Sequence, residues 1–310
     1  MTSYIDKETN LTPETIANKA LDILRNSSVL LDKIAKDKDY VDVDQMATFK
    51  KGDTVVIPSL GTLTVRDKSG QTDMTVEEPT TSVVSLSINK HKYVCFGVED
   101  VTALHSMINL GEGYIAEGLR GIAEQFDGDI LALYATLTQS DGTPGTDADR
   151  DLIVDVRQTL NEAKIPLTDR YIFWHPKDES ALLQDTDFYS ASSVGEAQAA
   201  SINSTGLISP RPILGFKHFV HQGILQVGAS PVTTHNIAFH KTAFVCGFRN
   251  LGTSGDGKGA KQAYVADPVS GLGIRYTESY DHGALATKYS LDVLYGVAIL
   301  RNTAAVDVQT

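Results

Sequence analysis

The chain has 310 residues, of which 42% are hydrophobic and 21% are charged, a composition typical of a globular protein with a sizeable core. Its 27 Lys and Arg residues against 39 Asp and Glu residues give a net charge of −12. This acidic balance argues against a groove that tracks the phosphates of a nucleic acid. We therefore expect any contact with nucleic acid to be loose and non-specific.

The sequence also argues against a membrane-spanning or secreted protein. No apolar run is long enough to span a bilayer, and the N-terminal sequence lacks the basic start and apolar segment of a signal peptide. This predicts a protein made in a cytosol, with no membrane partner.

Cys95 and Cys246 are the only cysteines, and two thiols are too few for a disulfide framework. We expect both to be free in a reducing compartment.

The first predicted element is a helix near the N-terminus. Pro13 suits the first helical position and Glu14 complements the helix dipole there. Its apolar stripe consists of Ile16, Ala20, Ile23 and Leu24. The highly charged segment that follows, to about Gln45, has no pattern of a compact unit. Together these residues predict an arm.

A β-rich stretch follows, from Gly52 to about Phe96. Within it, "GTLTVRDKSGQTDMTVE" (61–77) alternates apolar and polar residues on either side of "KSG", which predicts a hairpin with one apolar face. Only Leu63, Val65, Met74 and Val76 lie on that face. A two-stranded ribbon is marginal in water, so this hairpin needs a surface to pack against.

The strongest helical pattern comes next. Apolar residues recur at steps of three and four over a helix that starts near Glu99 or Leu110 and ends at about Leu137. The stripe consists of Ile115, Leu119, Ile122, Phe126, Ile130, Leu133 and Leu137. Five glycines weaken this helix in isolation, so we expect packing to hold it in place.

The second half mixes helices and strands. We predict a helix containing Leu152 to Ala163, a buried strand "RYIFW", and a helix that restarts at Pro176. The remainder reads mostly as strands, and the chain closes on "KYSLDVLYGVAILRN", whose last part is apolar enough for an interior strand.

Two glycine-rich stretches resemble nucleotide-binding motifs without fulfilling them. "GTSGDGKG" (252–259) nearly matches a phosphate loop, but Gly259 replaces the magnesium-binding hydroxyl and both flanks read as strands. "GEGYIA" (111–116) has a dinucleotide-type glycine pattern, but no strand leads into it. We interpret the first as a hairpin loop and the second as close-packing positions on the long helix.

Metal and catalytic patterns are weaker still. Asp147, Asp149 and Asp151 have the spacing of a calcium loop but lack its glycine and its glutamate, and acidic residues that open a helix explain them more simply. A zinc site can be imagined from His218, His221, His235, His240 and Cys246, although such spacings occur by chance. The sequence therefore predicts no catalytic, cofactor-binding or metal-binding site.

The order of the parts is more informative than any motif. The pieces are "KKGDTVVIPSLG", "LSINKHKYVCFGVEDV", "AEQFDGDILALYA", "RYIFWHPKDESALLQD" and "YDHGALATKYSLDVLYGVAILRN". In this order they resemble the major capsid proteins of tailed bacteriophages, whose fold is shared with encapsulins. The resemblance covers the chain from about Thr12 to Val308.

The resemblance implies an α+β capsid fold with four parts. They are an N-terminal arm (1–51), an extended β-hairpin loop (52–98), a peripheral domain built on the long spine helix (99–145 and 261–288), and an axial domain with a central sheet flanked by helices (146–260 and 289–310). In such proteins the extended loop lies across a neighbouring subunit. This suggests contacts between subunits at Leu63, Val65, Arg66, Lys68, Met74, Val76 and Glu77.

The implied function is structural. The resemblance suggests a major capsid protein whose hexamers and pentamers close into an icosahedral shell around double-stranded DNA, assembled in the host cytoplasm and retained in the virion. The chain starts almost directly at its arm, which suggests a separate scaffolding protein, and a portal is the other expected partner. We do not expect a covalent cross-link through Lys68. An encapsulin shell is the alternative, and an enzyme using the 252–259 loop is a remote one.

Overall fold

The computed structural model describes residues 13–40, 54–60, 63–68, 70, 73–74, 76–78, 81–100, 110–185, 212–257, 259–267 and 271–310. Within them, three α-helices start where the sequence favours a start. Pro13 opens the first helix, Asp149 accepts a hydrogen bond from the amide of Leu152 at 2.8 Å, and Pro176 follows the capping residue His175. The helices are α1 (Pro13–Ser27), α2 (Leu110–Leu131), α3 (Arg150–Glu162) and α4 (Pro176–Gln184).

Most strands of the described residues follow one another without a helix between them. In chain order they are β1 (Ala35–Lys36), β2 (Thr54–Leu60), β3 (Thr81–Ser87), β4 (Lys90–Glu99), β5 (Ser140–Gly142), β6 (Arg170–Trp174), β7 (Lys217–Val220), β8 (Gln226–Val227), β9 (Thr233–His240), β10 (Phe244–Arg249), β11 (Ala260–Ala266), β12 (Gly273–Asp281), β13 (Ala286–Ile299) and β14 (Ala305–Gln309). Short 3-10 turns span Asp37–Asp39, Ala132–Thr136 and Asn302–Ala304.

The first of two six-stranded sheets is built around β13. Its order is β1, β10, β13, β12, β11, and β4 also pairs with β13. All pairs are antiparallel except β1 with β10. Helices α1 and α2 pack against each other and against this sheet. The predicted stripe of the long helix faces the core: Ile115, Leu119, Ile122, Phe126 and Ile130 are buried, and Leu133 and Leu137 are half-buried against them.

The second sheet has the order β5, β14, β9, β6, β7, with β8 paired to β9. The pairs β5 with β14 and β6 with β7 are parallel. Helix α3 packs against β5 and β14, and α4 packs against β6. The strand predicted from "RYIFW" is β6, and all five of its residues are buried. None of the helices in the described ranges combines the length and apolar character needed to cross a bilayer.

The N-terminal region differs from the predicted arm. Its described part, residues 13–40, is packed into the body, with Ala17, Ala20 and Leu24 of α1 buried and Leu30, Leu31 and Ile34 buried after it. The sequence hides this because the apolar residues of 28–35 are too few and too closely spaced to show a helical or strand period. Their burial depends on surfaces far away in the chain.

The ribbon is also shorter than the predicted 52–98. Strand β4, predicted as its outgoing side, pairs with β13 from Lys90 opposite Tyr295 to Glu99 opposite Ala286. These residues lie in the first sheet, so only β2, β3 and the chain between them form the ribbon. The mixed α+β class agrees with the sequence prediction, whereas the division into four domains stays a prediction.

Candidate assembly surfaces

The ribbon has a buried end, which we call the ribbon base and define as β2, β3 and Ile88. Strands β2 and β3 pair from Thr54 opposite Ser87 to Leu60 opposite Thr81. One face of the base is fully buried in a small apolar cluster, separate from the main core. The cluster contains Val55, Ile57, Leu86, Ile88, Val245 and Leu294.

The register of β13 shows which face of the first sheet receives the ribbon base. Val293 and Tyr295 belong to the main core under the helices, whereas Leu294 between them packs with the base. Successive side chains of a strand point to opposite faces. The base therefore covers the face of the sheet that is turned away from α1 and α2.

The other end, which we call the ribbon tip, comprises the described residues between 63 and 78. Its apolar side chains are exposed by 63% at Leu63, 96% at Val65, 79% at Met74 and 89% at Val76. Arg66 and Lys68 are exposed beside them. Six of the seven predicted contact residues are thus uncovered on the single chain.

The seventh, Glu77, closes the tip. Its carboxylate accepts hydrogen bonds from the amide and the hydroxyl of Thr64, both at 3.1 Å, and lies 3.8 Å from the guanidinium of Arg66. The sequence predicts two strands around "KSG", but the described residues 63–68 and 76–78 are not in strands. The ladder lies at the ribbon base instead, and Glu77 joins the two sides of the tip.

Two buried carboxylates that the sequence analysis missed hold the N-terminal segment against the body. Asp127 of α2 accepts hydrogen bonds from the hydroxyl of Ser28 at 2.6 Å and from the amide of Val29 at 2.8 Å. Asp37 forms a buried ion pair with Arg249, with Oδ2 and Nη1 2.6 Å apart. The partners are 98 to 212 residues apart, so no local sequence signal could have paired them.

A third carboxylate lies where the chain leaves the ribbon base. Asp292 of β13 binds the guanidinium of Arg275 through two hydrogen bonds, of 3.0 and 2.6 Å, and contacts the ring of His91 at 2.7 Å. His91 is the second residue of β4, three positions after Ile88 of the base. The exit of the ribbon is therefore fixed to the first sheet by a polar contact as well as by the apolar cluster.

The glycine-rich and acidic motifs have structural settings. The 252–259 loop joins β10 to β11, two strands, and the amide of Gly252 donates to Asn250 at 2.6 Å while that of Gly255 donates to Gln262 at 2.8 Å. Lys258 lies outside the described residues. The 111–116 glycines lie within α2, and Asp149 caps α3. Asp149 at the start of α3 agrees with the interpretation of acidic residues that open a helix. The interpretation of 252–259 as a hairpin loop is wrong, because β10 pairs with β1 and β13 whereas β11 pairs with β12. Close packing at the 111–116 glycines stays a prediction.

The candidate zinc ligands have separate partners. His218 accepts a hydrogen bond from the indole of Trp174 at 2.9 Å, His235 contacts Asp307 at 2.9 Å, and His240 contacts the hydroxyl of Thr242 at 2.9 Å. Burial lowers the pKa of His218 to about 4 and raises the pKa of the Cys246 thiol. Across the described ranges, no group of three or more His, Cys, Asp or Glu side chains is placed to hold a metal ion.

No family model matches the sequence, and no curated protein matches it. Solved structures do match the fold. A chain from Mycobacterium phage Che8 is 18% identical, with a TM-score of 0.67 over 91% of this chain and 90% of that chain. The capsid of the Cyanophage P-SCSP1u is 13% identical, with a TM-score of 0.59 over 84% of each chain.

A virus-like particle from Pyrococcus furiosus matches as well, at 10% identity and a TM-score of 0.53 over 94% of this chain and 97% of that chain. Most of the other matched structures come from bacteriophages. At these identities the likeness is one of fold. This chain therefore has the mixed α+β fold of phage capsid subunits.

Proposed function

We propose that this chain is the major capsid protein of a tailed bacteriophage. Copies assemble as hexamers and pentamers into a closed icosahedral shell that encloses double-stranded DNA. The observation that carries the proposal is the ribbon tip, whose aliphatic side chains are uncovered on a body with a phage capsid fold. The fold supplies the architecture, and the uncovered tip indicates the contact that the architecture needs.

The tip is an apolar surface that is left exposed by the part of the chain that the structure describes. Leu63, Val65, Met74 and Val76 stand on an extension with little body of its own, so their exposure is not the scattered surface exposure of a globular domain. Burial against a neighbouring copy removes this surface from water. Each such contact is modest, because ordering and association oppose it, and many contacts around a closed shell stabilise the shell collectively.

The seven tip residues Leu63, Val65, Arg66, Lys68, Met74, Val76 and Glu77 are the proposed contacts between subunits. The net charge of −12 suits a wall that surrounds DNA without binding its phosphates tightly. We further propose a separate scaffolding protein and a portal as partners, assembly in the host cytoplasm, and a place in the virion. The division into arm, extended loop, peripheral domain and axial domain belongs to the same proposal, with residues 13–40 of the arm packed on the body and with β4 assigned to the first sheet and not to the extended loop. We propose no catalytic role.

The proposal is tested by purifying the chain and examining it under assembly conditions by electron microscopy and light scattering. The wild type is expected to form closed particles. The substitution Val65→Asp places a charge on the most exposed apolar side chain of the tip, and it should abolish particles while the monomer keeps its circular dichroism spectrum and melting temperature.

Val65→Leu is the matched control, since it keeps the apolar surface at the same position. This variant should assemble like the wild type. A wild-type chain that stays monomeric under all conditions, with no particles, contradicts the capsid proposal. Particles of Val65→Asp that match the wild type would refute the contact at the tip.

An encapsulin-type compartment is the second candidate, because the likeness extends to the virus-like particle from Pyrococcus furiosus. The two candidates differ in content. A phage head encloses nuclease-protected DNA, whereas a compartment encloses a protein cargo. Particles from infected or lysogenic cells, treated with nuclease and then analysed for DNA and for co-purifying protein, separate them. The preponderance of bacteriophage structures among the matches favours DNA.

A further inference from the structure

Two glycines face each other across neighbouring strands under the ribbon base. Gly247 of β10 is the register partner of Gly296 of β13. Both lie inside strands that are otherwise rich in buried apolar residues. Neither has a positive φ, so a special backbone conformation does not require glycine here. The reason for glycine at these positions is therefore steric, because a glycine inside a strand lets another backbone approach closely.

The space is filled by the ribbon base. A Cβ added to Gly296 would lie 2.3 Å from the carbonyl oxygen of Ser87 and 3.1 Å from the Cα of Ile88. These are backbone atoms, which cannot move aside as a flexible side-chain end can. The main chain of the ribbon therefore rests directly on the main chain of β13. We call the shallow depression at Gly247 and Gly296 the glycine notch.

The second half of the notch receives two other segments. A Cβ on Gly247 would lie 2.9 Å from Cδ2 of Leu86 and 2.6 Å from Oδ2 of Asp37. Leu86 belongs to β3, and Asp37 belongs to the N-terminal segment and is paired with Arg249. The notch thus seats the ribbon and the N-terminal segment side by side, at the point where both cross the first sheet.

Burial along the ribbon falls with distance from the notch. Leu86 and Ile88, next to the glycines, are fully buried. On the same face of the ribbon, Val84 is half-buried two residues nearer the tip, and Val65 in the tip is almost fully exposed. The ribbon is therefore fixed at one end only. The direction in which the tip projects is set at the notch.

We propose that Gly247 and Gly296 are positioning residues for assembly, which seat the ribbon base on the first sheet and so aim the tip at the neighbouring copy. The inference rests on the proposed shell function. It assigns to the two glycines the seating of the ribbon base on the body.

Hydrogen exchange of the unassembled chain tests the seating directly. A paired ribbon that is no longer held by a sheet is marginal, so Gly296→Ala should raise the exchange of amides in 54–60 and 81–88 by roughly tenfold or more, with the second sheet unchanged. Gly97→Ala is the matched control. Gly97 is also a glycine of the first sheet, and its added Cβ would meet only atoms at 3.9 Å.

An assembly experiment then tests whether the two glycines set the direction of the tip. Gly296→Ala should give no closed particles or misshapen ones under conditions in which the wild type and Gly97→Ala give regular particles. If Gly296→Ala does not fold, Leu86→Ala replaces it with the same two measurements, since it loosens the base without altering the sheet. If Gly296→Ala leaves the exchange of the ribbon-base amides unchanged, the glycines do not hold the base on the sheet. If the variant exchanges faster but still forms regular particles, the glycines have no positioning role in assembly.

The failure of this inference can be told apart from the failure of the proposed function. If the wild type forms no particles, the shell function fails, and the positioning role for assembly fails with it. The exchange experiment on the monomer still decides whether the notch holds the ribbon base. If the wild type forms particles and the glycine variant forms identical ones, only the positioning role is lost.

Discussion

The two ends of the ribbon share a sequence pattern but differ in how their apolar side chains are covered. The sequences of the base and the tip both alternate apolar with polar residues. Four apolar side chains of each show the difference: Val55, Ile57, Leu86 and Ile88 in the base, and Leu63, Val65, Met74 and Val76 in the tip. At the base those side chains are fully buried on the body, whereas at the tip Val65 is almost fully exposed. Alternation predicts that a strand has an apolar face, but it does not tell what covers that face.

The largest effect on the unassembled chain is expected where the base meets the body. Ile57→Ala removes a fully buried side chain and leaves a cavity beside Leu294, so it should lower the free energy of unfolding by about 2 to 5 kcal/mol. Val56→Ala is the matched control, because Val56 points to the open face and should cost under about 0.5 kcal/mol. Urea titration measures both. Equal losses of unfolding free energy for Ile57→Ala and Val56→Ala would contradict the difference between the covered and the open face of the base.

A fall in pH is expected to weaken the body at His218, which lies in β7 of the second sheet. Burial holds the pKa of His218 at about 4, whereas the same group in the unfolded chain titrates near 6.5. Its contribution to stability is therefore complete above about pH 6.5 and is lost as the pH falls toward 4, which amounts to up to about 3 kcal/mol.

The comparison of the wild type with His218→Gln isolates this contribution from other groups that titrate in the same window. Unfolding free energies at pH 7 and pH 4 should differ less in the variant. The same pH dependence in both proteins would show that His218 is not the group that titrates. Exchange of the ribbon-base amides should follow global unfolding and not precede it.

The smallest effect on the unassembled chain is expected at the tip. Glu77→Ala removes the carboxylate that joins Thr64 and Arg66, yet the site is largely in water, so the global free energy of unfolding should change by under about 1 kcal/mol. The amide of Thr64 should exchange faster. Glu78→Ala, at the exposed neighbouring residue, should leave that amide unchanged. A large drop in melting temperature for Glu77→Ala would mean that the tip is part of the folded body.

Elements governed by local spacing could be predicted from the sequence. The stripe of α2 follows from steps of three and four, β6 follows from an unbroken apolar run, and α4 follows from Pro176 after a strand. The exposure of the apolar side chains of the tip was also predictable, because four such residues cannot stabilise a two-stranded ribbon alone.

Features that depend on distant partners were not predictable. Asp127 and Arg249 look like ordinary charged residues until Ser28 and Asp37 are placed beside them. The glycine notch gave a faint signal, since "FVCGF" and "LYGVAI" each place one glycine inside a strand-like run. Nothing in either run shows that the two glycines meet, because their pairing depends on the register of β10 with β13.

The long strand β13 has a mechanical consequence. Its 14 residues bond to β4 in one stretch and to β12 and then β10 along its length, so it connects the exit of the ribbon to the outer hairpin of the sheet. A pull that is transmitted through β4 along its own direction would load the ladder bonds between β4 and β13 together in shear. Rupture would require them to break at once instead of one by one. In the proposed shell, this ladder would resist tension that a neighbouring copy applies along β4.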